Sequence, residues 1–430
     1  MSIATISISF LIALGVLLVG VPVAVVMAGV GVIGGLATAG MPMIESLGSV
    51  IWSVQNENLL TAIPLFILLG EILLRSGMAD NMYISLSAWL GRLPGGLLHS
   101  NMASCALFAA TCGSSVATAA TIGTVALPAL KERGYNLRHA LGSLAAGGTL
   151  GILIPPSVAL LVYGSITNNS IGKLFVAGVV PGILLTLLFM AYIAFSNRHR
   201  EGLVEVRLSF RDRLRLSRFL VPPFVIFGVV MGSLYLGLAT PTESASVGVI
   251  LALGFAITVG RFDIPTLHHC FRQTATITGM IILIICGSFI LNVTLNFLNI
   301  PQVLTKTVTS LGVGATEIIL ILVVFYLILG SFLEVLSMQV TTIPIAYPIV
   351  THLGVDPIWF GIFIVLMSEV AMITPPVGMN LYVVQSIRRD GGTINDVIAG
   401  VWPYVGIMLA FTVLLWFVPE LVLWLPRNMN

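Results

Sequence analysis

The chain has 430 residues, of which 57% are hydrophobic and only 8% are charged. A soluble domain carries about 25% charged residues, so this composition excludes a water-facing surface and makes the bilayer the solvent. The net charge of +2 gives no reason to expect nucleic acid as a partner. The four cysteines (Cys105, Cys112, Cys270, Cys286) lie in or beside apolar segments without paired spacing, and they read as small core residues. The N-terminus has no positive n-region of a signal peptide, so its first apolar segment is expected to stay as a span.

A helix needs about 20 apolar residues to cross a bilayer. In chain order, the expected crossings are 4–20, 22–39, 59–75, 139–165, 173–196, 219–237, 243–259, 274–298, 358–386 and 396–424. Two more apolar stretches, 98–130 and 317–350, are each interrupted near the middle by small polar residues. Each is expected to form a re-entrant hairpin, because irregular backbone at membrane depth needs protein or a cavity to satisfy it. Residues 42–57 and 262–273 are amphipathic and suit the membrane surface or a loop. With the N-terminus outside, 16 of the 19 basic residues fall on the cytoplasmic side, seven of them in the loop 197–218. Only Lys173, Lys306 and Arg427 fall outside, so the positive-inside rule selects this orientation. The six histidines lie near span ends, and the tryptophans lie mostly near interfaces.

The loop 197–218 divides the chain into a first half, 1–196, and a second half, 219–430. The halves resemble each other. Ile154-Pro155-Pro156 matches Thr374-Pro375-Pro376, Pro128 and Gly134 match Pro348 and Gly354, and Gly178 and Pro181 match Gly400 and Pro403, at offsets of 220 to 222. The expected topology starts the two halves on opposite sides, which makes them inverted repeats. Inverted repeats with broken helices near the midplane mark secondary transporters. The expected fold class is therefore an all-α polytopic membrane protein with two hairpins, 98–130 and 317–350, and two broken helices, 139–165 and 358–386.

The chemistry is expected where those features interrupt the helices. The first tip reads ATCGSSVATAAT (110–121), and its partner helix breaks at GGTLGILIPPS (147–157). The second tip reads LGSFLEVLSMQVTT (329–342), and its partner helix breaks at MITPPVGMN (372–380). The double prolines should free carbonyl oxygens. Half-helix C-termini then suit a sodium ion and half-helix N-termini a carboxylate. Gly113, Ser114, Ser115, Thr118, Gly151, Pro155, Ser157, Gly330, Glu334, Thr341, Thr374, Pro375, Gly378 and Asn380 are the candidates in these four segments. Each also has a packing explanation, since Ser and Thr bond across helices and Gly lets helices approach. Glu71, Glu243, Glu334 and Glu369 fall in or at the edge of spans, where an acidic residue is a functional candidate by default. A structural carboxyl is the favoured reading of Glu71 and Glu369, and a helix cap explains Glu243. No lysine or arginine lies deep in a span, so an anionic substrate would rely on helix dipoles, hydroxyls, Asn380 and bound cations.

These residues resemble the DctM-type large membrane subunit of TRAP transporters (tripartite ATP-independent periplasmic transporters) over almost the whole chain. The matching stretches are AIPLFILLGEILLRSG (62–77), GSSVATAATIGTVALPALKERGYN (113–136), GILIPPSVALLVYG (151–164), IGKLFVAG (171–178), GLATPTESASVGV (237–249), PIWFGIFIV (357–365) and ITPPVGMNLYVV (373–384). The resemblance implies an elevator mechanism and sodium coupling without ATP hydrolysis. It also implies two partners in the bacterial inner membrane system, a small four-helix DctQ-like membrane subunit and a periplasmic DctP-like substrate-binding protein. By motif, one cation site would involve Gly113, Ser114, Ser115 and the Gly151–Ser157 break. The other would involve Gly330–Glu334 and the Thr374–Asn380 break. Thr118 stands where many relatives have an acidic residue, and Glu334 and Ser337 stand where many have an aspartate and a proline. The substrate is expected to be a small organic acid: a C4-dicarboxylate, sialic acid, sugar acid or keto acid.

Two other readings fit parts of the pattern. A single-component anion symporter shares paired hairpins and needs no partner. An intramembrane hydrolase using Ser114 or Ser115 would need a base within reach, and the spans supply no core histidine or lysine.

Overall fold

The computed structural model describes residues 12–17, 19–198, 209–259 and 262–429. All regular structure among them is helical, and a helical stretch over 12–17 precedes the labelled helices. The first half contains α1 (Val23–Ala39), α2 (Met41–Gln55), α3 (Ala62–Arg75), α4 (Met78–Leu90), α5 (Leu97–Cys112), α6 (Ser115–Glu132), α7 (Leu137–Leu153), α8 (Val158–Thr167) and α9 (Ile171–Ser196). The second contains α10 (Phe210–Ser217), α11 (Val221–Tyr235), α12 (Pro241–Val259), α13 (Ile264–Phe297), α14 (Ile300–Ser310), α15 (Ala315–Gly330), α16 (Val335–His352), α17 (Pro357–Met372), α18 (Met379–Ser386), α19 (Ile394–Phe417) and α20 (Glu420–Arg427). Among the described residues six helical runs are long and apolar enough to cross a membrane, seven if the bent pair α3–α4 is one span.

Local chemistry sets the ends of these helices, and it repeats between the halves. Gly134 after α6 and Gly354 after α16 both take positive φ, 72° and 84°. Two residues later Asn136 caps α7, accepting from the Arg138 and His139 N–H groups, and Asp356 caps α17, accepting from Ile358 and Trp359. Each cap satisfies donors that a helix start leaves orphaned. Both stretches expected as hairpins are helix–turn–helix units, α5–α6 and α15–α16. Both helices expected to be broken are broken, α7–α8 at Ile154–Ser157 and α17–α18 at Ile373–Gly378. The prolyl bonds Pro155–Pro156 and Pro375–Pro376 are both cis.

Several expected boundaries move. The surface segment 262–273 is instead the start of the 34-residue α13. Asp263 caps it through the Thr266 N–H at 2.9 Å, and Pro265 in the first turn needs no donor, so the helix begins early. Residues 78–90 form α4, bent 67° from α3 at Ser76–Gly77, where Gly77 has φ 73°. Residues 300–310 form α14, which hydropathy alone does not reveal. The expected span 4–20 lies mostly outside the described residues. Trp359, rather than facing an interface, is buried and donates its indole N–H to the Leu415 carbonyl at 3.0 Å. All four cysteines are free and buried.

Small residues govern the packing. In α7 every residue from Ala140 to Leu153 is buried, and in α17 every residue from Trp359 to Met372. A Cβ on Gly142 would lie 2.1 Å from the Gly400 carbonyl oxygen, so α7 and α19 touch backbone to backbone. A second contact of this kind joins α1 to α13. There a Cβ on Gly287 would meet the Ala24 carbonyl at 2.7 Å, and the Thr294 hydroxyl donates to the Gly31 carbonyl at 2.6 Å. Such small-residue seams replace the hydrophobic drive that lipid cannot supply.

Candidate substrate and cation site

The first tip presses into the first break. Gly113 ends α5 at φ 64°, and a Cβ there would lie 2.5 Å from the Pro156 carbonyl oxygen. Gly151, one turn before the break, brings its Cα side against Ser114, whose carbonyl a Cβ would meet at 2.6 Å. Only glycine fits at both positions. Ser114 caps α6 through the Ala117 N–H at 3.4 Å, and the Thr118 hydroxyl donates to the Ser114 carbonyl at 2.7 Å. Pro155 and Pro156 have no N–H, so the Gly151 and Ile152 carbonyls lose their helical donors. The Ser157 hydroxyl takes over Ile152, and its oxygen accepts the Leu160 N–H at 3.3 Å to start α8.

The second tip meets the second break in the same way. The Val377 N–H donates to the Ser331 carbonyl at 3.2 Å, and Gly330 sits against Ala371. Glu334 caps α16, accepting from the Leu336 and Ser337 N–H groups at 3.0 and 3.2 Å and from the Ser337 hydroxyl at 3.3 Å. Pro375 and Pro376 withdraw the donors of Ala371 and Met372. The Thr374 N–H bonds Ala371 at 3.2 Å and its hydroxyl bonds Val370 at 2.7 Å. Gly378, at φ 31°, opens α18.

Asn380 connects the two arrangements. Its amide donates to the Ser115 hydroxyl at 2.9 Å and to the Ala145 carbonyl at 3.2 Å. It is fully buried, and its Oδ1 has no hydrogen-bond partner among the described residues. Gly148 makes room for it, since a Cβ there would lie 3.1 Å from Nδ2. The C-termini of α5, α7, α15 and α17 therefore end, and the N-termini of α6, α8, α16 and α18 begin, around one linked set of tips and breaks. The former present partial negative charge and the latter partial positive charge.

The donor set is oxygen from carbonyls and hydroxyls, with Glu334 as the carboxylate at the second tip. Among the described residues no group of three or more His, Cys, Asp or Glu could hold a metal. Oxygen donors of this kind match hard cations rather than soft, thiolate- or imidazole-seeking metals. The unpartnered Asn380 Oδ1 supplies one further acceptor.

The other candidates lie elsewhere. The Thr341 hydroxyl bonds the Ser337 carbonyl at 2.7 Å and faces Met27 of α1. Glu71 pairs with Arg75 at 3.1 Å within α3. Glu243 closes a capping box with Thr240, whose N–H and hydroxyl reach its carboxylate at 2.7 and 2.8 Å. Gly148 and Gly70 are additions to the sequence candidates. A Cβ on Gly70 would lie 2.8 Å from the Cys112 carbonyl, so α3 backs the first tip. The run GGTLG held the signal for Gly148, whereas nothing in the sequence singled out Gly70.

Comparison with known proteins follows this geometry. Residues 10–421 match the family model described as "Tripartite ATP-independent periplasmic transporter, DctM component". The chain is 34% identical to the C4-dicarboxylate TRAP transporter large permease protein DctM of Rhodobacter capsulatus, covering 96% of this chain and 97% of that one. It is 32% identical to the isethionate TRAP transporter permease protein DctMQ of Oleidesulfovibrio alaskensis, covering 94% of this chain and 64% of that longer protein. The fold is shared with the YdaH transporter of Alcanivorax borkumensis at a TM-score of 0.61 and 14% identity, covering 90% and 91% of the two chains. Relatives of one architecture are thus named for different substrates, and they are transport components rather than enzymes. The chain belongs to the DctM family, the large permease components of tripartite ATP-independent periplasmic transporters.

Proposed function

We propose that this chain imports a small organic acid across the bacterial inner membrane in symport with sodium, receiving it from a DctP-like periplasmic binding protein. A DctQ-like small membrane subunit completes the complex. The observation that carries this reading is that each tip packs into its own break, and that Asn380, just past the second break, bonds Ser115 of the first tip, with no lysine or arginine among these residues. Such a centre favours cations, and bound cations in turn offset the charge of a carboxylate.

In this reading Gly113, Ser114, Ser115, Gly151 and Pro155 border one sodium position. Gly330, Glu334, Thr374, Pro375 and Gly378 border the other. Ser114, Ser115, Thr118, Ser157 and Asn380 are nearest the substrate. Residues 1–196 and 219–430 act as inverted repeats joined by a cytoplasmic linker, 197–218, with both termini periplasmic. The hairpins and broken helices move together as an elevator against a frame that includes α1 and α13. The bond from the Ser288 hydroxyl to the Val340 carbonyl, at 3.2 Å, and the Thr341–Met27 contact lie on that sliding boundary.

The test is reconstitution in liposomes with the small subunit and binding protein, following labelled acids. Uptake that needs an inward sodium gradient and the binding protein, and ignores ATP, is the expected result. Uptake driven by protons without the binding protein would instead establish a single-component symporter.

A further inference from the structure

The helical run Phe210–Tyr235 carries two adjacent stripes. Phe210, Leu214, Val221 and Phe224 are 69%, 60%, 52% and 57% exposed, at steps of four, seven and three residues. In a membrane protein this is a lipid-facing line, and it extends from the span α11 out through the short helix α10. Arg211, Arg215 and Arg218, at steps of four and three, form the neighbouring stripe, and all three are exposed. None makes an ion pair with another described residue. Asp212 is the acidic residue on the same helix, and it is exposed one position beyond Arg211.

Helix α10 is anchored to α4 along the edge beside these stripes. Arg213 is buried, the Ser85 hydroxyl of α4 donates to the Leu216 carbonyl at 3.0 Å, and the Trp89 indole donates to the Ser217 hydroxyl at 2.8 Å. The Trp89 and Phe210 rings meet edge to face at 6.1 Å. The outward orientation of both stripes is therefore set by packing.

We propose that Arg211, Arg215 and Arg218 form a binding site for the phosphate headgroups of anionic phospholipids. Charge complementarity and continuity with the lipid-facing line of α11 select a lipid as the occupant. Guanidinium groups bind phosphate through paired N–H donors, and each basic residue near an anionic surface adds to the attraction.

The test measures binding of fluorescent phosphatidylglycerol to the purified full chain in neutral micelles, with phosphatidylcholine as reference. Wild type should prefer phosphatidylglycerol by at least about tenfold, and raised salt should reduce that preference. The triple variant Arg211→Gln, Arg215→Gln, Arg218→Gln should lose the preference while still binding phosphatidylcholine. The triple Arg→Lys variant should keep most of it, which separates charge from folding. Equal binding by the glutamine variant, or no preference in wild type, would overturn the proposal. So would displacement of the lipid from wild type by the small membrane subunit, because the face would then be a protein interface.

Discussion

Asn380 uses its amide protons on Ser115 and Ala145, and its Oδ1 has no hydrogen-bond partner among the described residues. Replacing it by alanine leaves the buried Ser115 hydroxyl without its donor, at a cost of about 1–3 kcal/mol. Asn380→Ala should therefore lower the thermal midpoint and reduce uptake about tenfold or more. A double-mutant cycle with Ser115→Ala should show a coupling of about 0.5–3 kcal/mol, and strict additivity would contradict the bond. Gly113 gives a sharper case. Gly113→Ala places a methyl against the Pro156 carbonyl in a left-handed conformation, so the variant should insert in the membrane yet lose uptake. The sequence disclosed Gly113 and Asn380 because a small-residue tip and a double-proline break are visible as strings. It did not disclose that Thr341 turns to Met27, since the rotational setting of a helix depends on neighbours far away in the chain.

Among the elements, the broken helices were the most legible and the short amphipathic ones the least. Proline pairs and glycine–cap sequences act within a few residues, so the α7–α8 and α17–α18 breaks follow from local chemistry. Helix α14 mixes threonines with apolar residues and α4 follows a glycine bend, so neither stands out by hydropathy. Their helicity depends on packing, as that of α14 does against α16. The α7–α19 crossing yields a clear test. Gly142→Leu forces apart helices whose backbones touch, and overpacking of this kind costs about 1–3 kcal/mol or more. It should lower the thermal midpoint more than Gly406→Leu on the same α19, where a Cβ meets open space. Equal effects would show that the crossing is dispensable.

For the whole molecule, a charged latch joins the ends of three helices. Arg388, whose side chain is 2% exposed, pairs with Asp390 at 2.8 Å and Asp396 at 3.3 Å, and Arg138 of α7 reaches Asp396 at 3.2 Å. The Arg388 hydrogen bond holds the Asp390 carboxyl down at about 2. A carboxyl depressed on folding stabilises the fold fully above its unfolded value, near 4, and the contribution fades as pH falls towards about 2. Thermal midpoints taken from pH 7 to pH 3 should therefore drop below about pH 4 in wild type. Arg388→Gln should begin lower and show a weaker drop, and an unchanged profile would remove the latch from consideration. The bond between Ser115 and Asn380 has another consequence, for biosynthesis. Its partners are 265 residues apart, and a ribosome adds roughly 5–20 residues per second. The first hairpin must wait on the order of tens of seconds in the membrane before its amide partner is made. During that interval the nascent centre is open, and chains stalled before α18 should be the ones cleared by membrane proteases.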